Sequence, residues 1–124
     1  MSVVWYLLAH VLYKIHEVDG RGYISVDELS ELFLHVLWGR YRVTLYENEE
    51  QIKRDLNLLY SFGFVKIRGR SVELVKDRLE KFEKSVVEKD PILTKSTTFW
   101  LAYLRKKLDE AIEKYYRENR NKDL

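Results

Sequence analysis

Residues 52–65, Ile52-Lys53-Arg54-Asp55-Leu56-Asn57-Leu58-Leu59-Tyr60-Ser61-Phe62-Gly63-Phe64-Val65, change their hydrophobic period partway along. Ile52, Leu56 and Leu59 recur at the spacing of one helix face, whereas from Val65 apolar and polar residues alternate. A helix therefore gives way to a strand at Phe62-Gly63-Phe64, where the glycine suits the left-handed conformation that closes many helices. Beyond it, Gly69-Arg70 reads as a two-residue hairpin loop with glycine first. That loop sets Ile67 opposite Val72 and Val65 opposite Leu74, with Lys66 opposite Glu73 on the other face.

Upstream, Asn48 to Gln51 offers a capping pattern for this helix, and Arg40 to Glu47 reads as a loop or short extended piece. An earlier helix carries Leu29, Leu32, Phe33, Val36 and Leu37 on one face. It starts at Ser25-Val26-Asp27-Glu28, a capping box in which serine and glutamate satisfy each other's backbone, and Gly39 is its expected C-terminal cap. Tyr23-Ile24 leaves room only for a very short strand. The first helix has a stripe of Val4, Leu8, Leu12 and Ile15 with Val11 alongside, and stops at Asp19-Gly20-Arg21-Gly22.

Downstream, Leu79, Phe82 and Val86 mark a fourth helix, which Asp90-Pro91 breaks because the residue before proline is pushed out of the helical region. A last helix starts near Ser96 to Thr98. Its apolar stripe of Trp100, Leu104, Leu108, Ala111, Ile112 and Tyr115, with Tyr103 beside it, is long for a domain whose core the first 74 residues can fill. The expected organisation is residues 1–74 as one domain and 75–124 as a helical extension.

The order helix, minimal strand, helix, helix, two-stranded hairpin resembles the winged-helix family over residues 4–74, and residues 52–65 resemble its third helix running into the wing. The resemblance implies a mainly α chain with a small β-hairpin (α+β): a winged helix-turn-helix followed by two C-terminal helices. It also implies a double-stranded DNA partner, with helix three in the major groove and the wing on backbone or minor groove. Carried onto this sequence, the surface comprises Lys53, Arg54 and Asn57, whose side chains can donate to base edges, and Arg68 and Arg70 at the wing tip. Arg40 and Arg42 would add phosphate contacts. Glu47, Glu49 and Glu50 depart from the pattern, since they favour the helix dipole but repel phosphates. Regulators of this type often pair through a C-terminal helix, so the last stripe is expected either to form a homodimer seam or to fold back onto its own domain, since an apolar stripe reports burial and not the partner. The alternative is a winged-helix module that binds protein and no DNA.

Composition bounds the rest. The 124 residues are 46% hydrophobic and 34% charged, enough to bury one core without disulfide or metal, and cysteine is absent. The 22 basic and 20 acidic residues leave a net charge of +2, too mild to imply nucleic acid alone. The excess is uneven: residues 1–38 carry two bases against five acids, residues 39–74 seven against five. Dense mixed charge, many tyrosines and few amides suggest a thermophile. The apolar N-terminus meets Lys14, His16, Glu17 and Asp19 before a span would be complete, so a soluble cytoplasmic protein is expected, with no membrane association.

Residues 17–28 also look like a calcium-binding EF-hand loop, with Gly22, Ile24 and Glu28 at the sixth, eighth and twelfth places. Glu17 takes the first position and Arg21 the fifth, where a divalent ion needs an oxygen, so no calcium is expected. His10, His16 and His35 lack metal-binding spacing, and there is no phosphate loop or nucleophile elbow. No cofactor, metal or enzymatic activity is expected.

Overall fold

The computed structural model describes residues 4–82, 84 and 98–122, with side-chain surroundings for 4–82, 84 and 103–118. The order is α1 (Val4–Asp19), β1 (Tyr23–Ser25), α2 (Val26–Glu31), a π-helical stretch (Leu32–Leu37), α3 (Trp38–Tyr41), α4 (Glu49–Ser61), β2 (Val65–Arg68), β3 (Ser71–Leu74), α5 (Lys76–Phe82) and α6 (Thr98–Lys122). The chain is thus mostly helical with one small antiparallel sheet, ordered β1-β3-β2.

The hairpin takes the register that the loop dictates, with Ile67 against Val72, Val65 against Leu74 and Lys66 against Glu73. On the other side of β3, Ile24 of β1 faces Val72 and Tyr23 faces Glu73. Alternation then separates the faces: Ile24, Val65 and Val72 enter the core, while Tyr23, Lys66, Arg68 and Glu73 stand exposed.

α4 is closed at both ends as its sequence requires. The Asn48 side chain accepts from the Gln51 N–H at 3.0 Å, and the Gln51 side chain accepts from the Glu47 N–H at 2.9 Å. At the other end Gly63, with φ +80°, allows Phe64 N–H to reach Leu59 carbonyl and Gly63 N–H to reach Tyr60 carbonyl, the paired bonds of a Schellman closure.

Several expectations give way. Ser25 caps α2 by accepting from the Glu28 N–H at 3.0 Å, but the Glu28 carboxylate does not return the bond. It is taken by Arg21, whose guanidinium donates to both of its oxygens at 3.1 and 2.6 Å and also to Asp19. The residue that spoils the calcium-like loop therefore supplies the positive charge between its carboxylates. Gly39 does not end the second helical run, which continues to Tyr41; Arg42 takes the left-handed position at φ 57°. The Val43 N–H then reaches the Leu37 carbonyl at 2.9 Å, and Val43 and Tyr46 are buried. Burial of those two side chains sets the turn, and the Arg42 guanidinium lies over the Trp38 ring at 5.1 Å.

Of the two alternatives for the last helix, α6 takes the one in which it folds back onto its own domain. Leu108, Ala111 and Ile112 are buried in the same core as α1, and Tyr116 joins them. α1 is correspondingly buried well beyond its expected stripe, with Tyr6, Leu7 and Ala9 enclosed too. Polar pairs flank the contact: His10 to Asp109 at 2.7 Å, Lys14 to Glu113 at 2.8 Å and Arg105 to the Tyr6 hydroxyl at 3.0 Å. The Tyr116 hydroxyl also donates to Glu28 at 3.3 Å. The core therefore crosses the expected boundary at residue 74, and three of the expected dimer-seam residues are used within the chain. Leu104 and Tyr115 pack partly buried against that core. The Trp100 side chain, Val86 and the Asp90-Pro91 break lie outside the described residues.

Candidate nucleic-acid interface

One face of α4 is held by the core through Ile52, Leu56 and Leu59, so helical geometry turns Glu50, Arg54, Asn57 and Ser61 outward. Tyr46 anchors the same helix from the loop before it. Its buried hydroxyl donates to Asp55 at 2.7 Å, and burial, reinforced by that bond, pushes its pKa well up. Phe33 meets the Tyr46 ring edge-on at 5.1 Å. Rotation of α4 is thereby fixed from two sides, and with it the direction of the outward side chains.

Among the described residues Arg54 and Asn57 make no side-chain hydrogen bond or ion pair, and both are exposed one turn apart. Lys53, half-buried, lies 3.8 Å from Glu50 and within the field of Asp27. On the sheet, Arg68 and Lys66 point to the solvent face of β2 and make no ion pair among the described residues. Lys66 is absent from the expected surface, although the alternation of residues 65–68 was enough to place it there.

Arg70 is differently placed. Its guanidinium donates to Asp27 at 2.6 and 3.2 Å and to Glu49 at 2.5 Å, joining the hairpin loop to the first turns of α2 and α4. Its backbone carbonyl accepts from the Val26 N–H at 2.8 Å, so main chain and side chain are both tied down. The bond from Arg70 holds the Asp27 carboxyl below the usual carboxylate range. Gly69, at φ +62°, makes the sharp turn that presents Arg70 to these partners. No sequence signal revealed this clasp, since Asp27 and Glu49 lie 43 and 21 positions from Arg70.

Arg40 and Arg42, both exposed, also have contacts within the chain. Arg40 faces Glu118 of α6 at 3.5 Å, and Arg42 stacks on Trp38. Of the seven residues expected at the interface, Arg54, Asn57 and Arg68 have no side-chain partner among the described residues, Lys53 is partly offset, Arg40 and Arg70 are ion-paired inside the chain, and Arg42 lies over the Trp38 ring. Two of the three acids at the start of α4 face cations, Arg70 for Glu49 and Lys53 for Glu50, while Glu47 has no ion pair among the described residues.

A second exposed feature lies at the C-terminal end of α4. Leu58, Tyr60 and Phe62 are exposed, and Phe62 meets the half-buried Trp5 ring at 5.3 Å. Among the described residues no group of three or more histidine, aspartate or glutamate side chains could hold a metal ion, and no helix is long and apolar enough to cross a membrane. No protein-family model, curated protein or solved structure matches this chain, and its functional reading rests on the residues themselves.

Proposed function

We propose that this chain is a winged-helix DNA-binding protein acting as a transcriptional regulator, which offers α4 to the major groove and the β2–β3 hairpin to the phosphate backbone. The observation that carries the reading is the pair Arg54 and Asn57: exposed, one turn apart on a helix whose rotation is fixed, and without a side-chain partner among the described residues. A guanidinium donates to guanine and a carboxamide pairs with adenine, so these two side chains suit base edges. Arg68 and Lys66 supply cations for phosphate on the adjoining hairpin. The pairing of β1 with β3 beside that hairpin also supports the resemblance drawn from element order.

Homodimerisation was expected through the last helix. With Leu108, Ala111 and Ile112 buried against α1, a pair of copies would need another surface.

Titration of the protein against random-sequence duplex at low and moderate salt, with its mass determined in the same buffers, tests the proposal. Salt-sensitive binding that Arg54→Ala weakens is the expected result, and Asn57→Ala should change sequence preference more than overall affinity. Absence of binding at low salt by a folded protein overturns it. That outcome favours a protein-interaction module, a reading supported by the exposed Leu58, Tyr60 and Phe62 on the same helix end.

A further inference from the structure

We propose that Asp27 and Glu49 act as an internal substitute for DNA phosphate, occupying Arg70 so that the free protein withholds one cation from the duplex. The inference rests on the DNA-binding reading of the α4 and hairpin surface, and concerns its regulation.

The chemistry of the clasp is that of phosphate recognition. Arg70 presents its Nε and Nη2 to the two oxygens of Asp27, the fork geometry with which guanidinium binds carboxylate and phosphate alike. Glu49 adds a second anion to the same Nη2. The contact is nevertheless open to exchange, because the Asp27 side chain is 73% and that of Arg70 50% exposed. Solvent-exposed ion pairs hold weakly, so a phosphate arriving at the hairpin can compete for the guanidinium. The other hairpin cations, Lys66 and Arg68, have no such carboxylates bound to them among the described residues.

The acids also sit where exchange matters. Glu49 belongs to the first turn of the proposed recognition helix and Asp27 to the first turn of α2. When Arg70 leaves them, Glu49 loses its ion-pair partner and Asp27 keeps only the field of Lys53, at the surface that faces DNA. Binding through Arg70 is thus opposed twice, by loss of the internal pair and by exposure of the acids.

A double-mutant cycle separates these effects. Four proteins are titrated with random-sequence duplex by fluorescence anisotropy: wild type, Asp27→Asn/Glu49→Gln, Arg70→Ala and the triple variant, each first shown to melt cooperatively. Replacing the acids is expected to tighten binding about threefold and to steepen the salt dependence by about 0.9 in log–log slope, the signature of one added phosphate contact. That slope change corresponds to a further loss of about 3.5-fold between about 50 and 200 mM salt. Both effects should disappear when Arg70 is also alanine.

An equal gain in the Arg70→Ala background overturns the proposal, because the acids would then merely repel DNA. So does an unchanged affinity of Asp27→Asn/Glu49→Gln while wild type binds and Arg54→Ala weakens it, an outcome that leaves the DNA-binding reading standing. If none of the four folded proteins binds at low salt, both readings fall together. Glu49→Gln alone serves as a second probe of the clasp should the double replacement impair folding.

Discussion

Leu108→Ala decides whether α6 belongs to the core or is a detachable tail. Leu108 is 0% exposed and is enclosed in the hydrophobic core that contains α1. Truncation removes three carbon groups at about 0.8 kcal/mol each, or about 2.4 kcal/mol of transfer free energy. The cavity left behind raises the expected loss to about 3–4 kcal/mol, since neighbours anchored on both helices relax only in part. For a domain of this size that loss lowers Tm by about 12–16 °C. In urea it moves the midpoint by about 2 M if the slope is about 1.5–2 kcal/mol per molar. Unfolding is followed by circular dichroism at several protein concentrations. A single transition, shifted by this amount and independent of concentration, is expected. A loss under about 1 kcal/mol refutes the packing argument. So does a wild-type midpoint that climbs with protein concentration and ceases to do so in the variant, because Leu108 would then be serving a seam between copies.

Other perturbations probe how α4 and its surroundings are held. Tyr46→Phe removes the buried donor to Asp55 while keeping the ring, and should lower stability by about 1–2 kcal/mol in urea titration; an unchanged midpoint would show that Tyr46 acts through its ring alone. Gly63→Ala places a Cβ at φ +80° and 2.9 Å from the Arg78 side chain, and should cost about 1–2 kcal/mol, mainly from backbone strain because that arginine end can move. Acid should loosen the hairpin loop through Asp27, which faces Arg70 and Lys53, with Glu49 on the other side of Arg70. Its folded-state pKa lies below the unfolded one, so its contribution is present above the unfolded value of about 3.9 and is lost as pH falls through the folded one. Hydrogen exchange at the Val26 amide, which donates to the Arg70 carbonyl, should therefore stay slow, after correction for intrinsic rates, down to about pH 5 and quicken below about pH 4. Persistence of the same acid step in Asp27→Asn would assign it to another group.

Local signals were readable wherever a residue acts on its own neighbours in the chain. Asn48 and Gln51 start α4, Gly63 ends it, and Gly69 with the alternation on either side fixes which residues face each other in the hairpin. These are backbone effects that operate over a few positions, and side-chain period determines which face is buried. The outward placement of Arg54 and Asn57 follows from Ile52, Leu56 and Leu59 for the same reason. An apolar stripe, by contrast, reports that a surface will be covered without naming what covers it. Leu108, Ala111 and Ile112 were legible as a buried face, but only the tertiary structure assigned them to α1. Charge pairing is longer in reach and carries no periodic signature: whether a guanidinium stands free or is spent depends on carboxylates brought close by the fold. The sequence determined the elements and the faces of α4 and the hairpin; folding decided that Arg70 and Arg40 would meet acids from distant turns while Arg54 and Arg68, among the described residues, meet none.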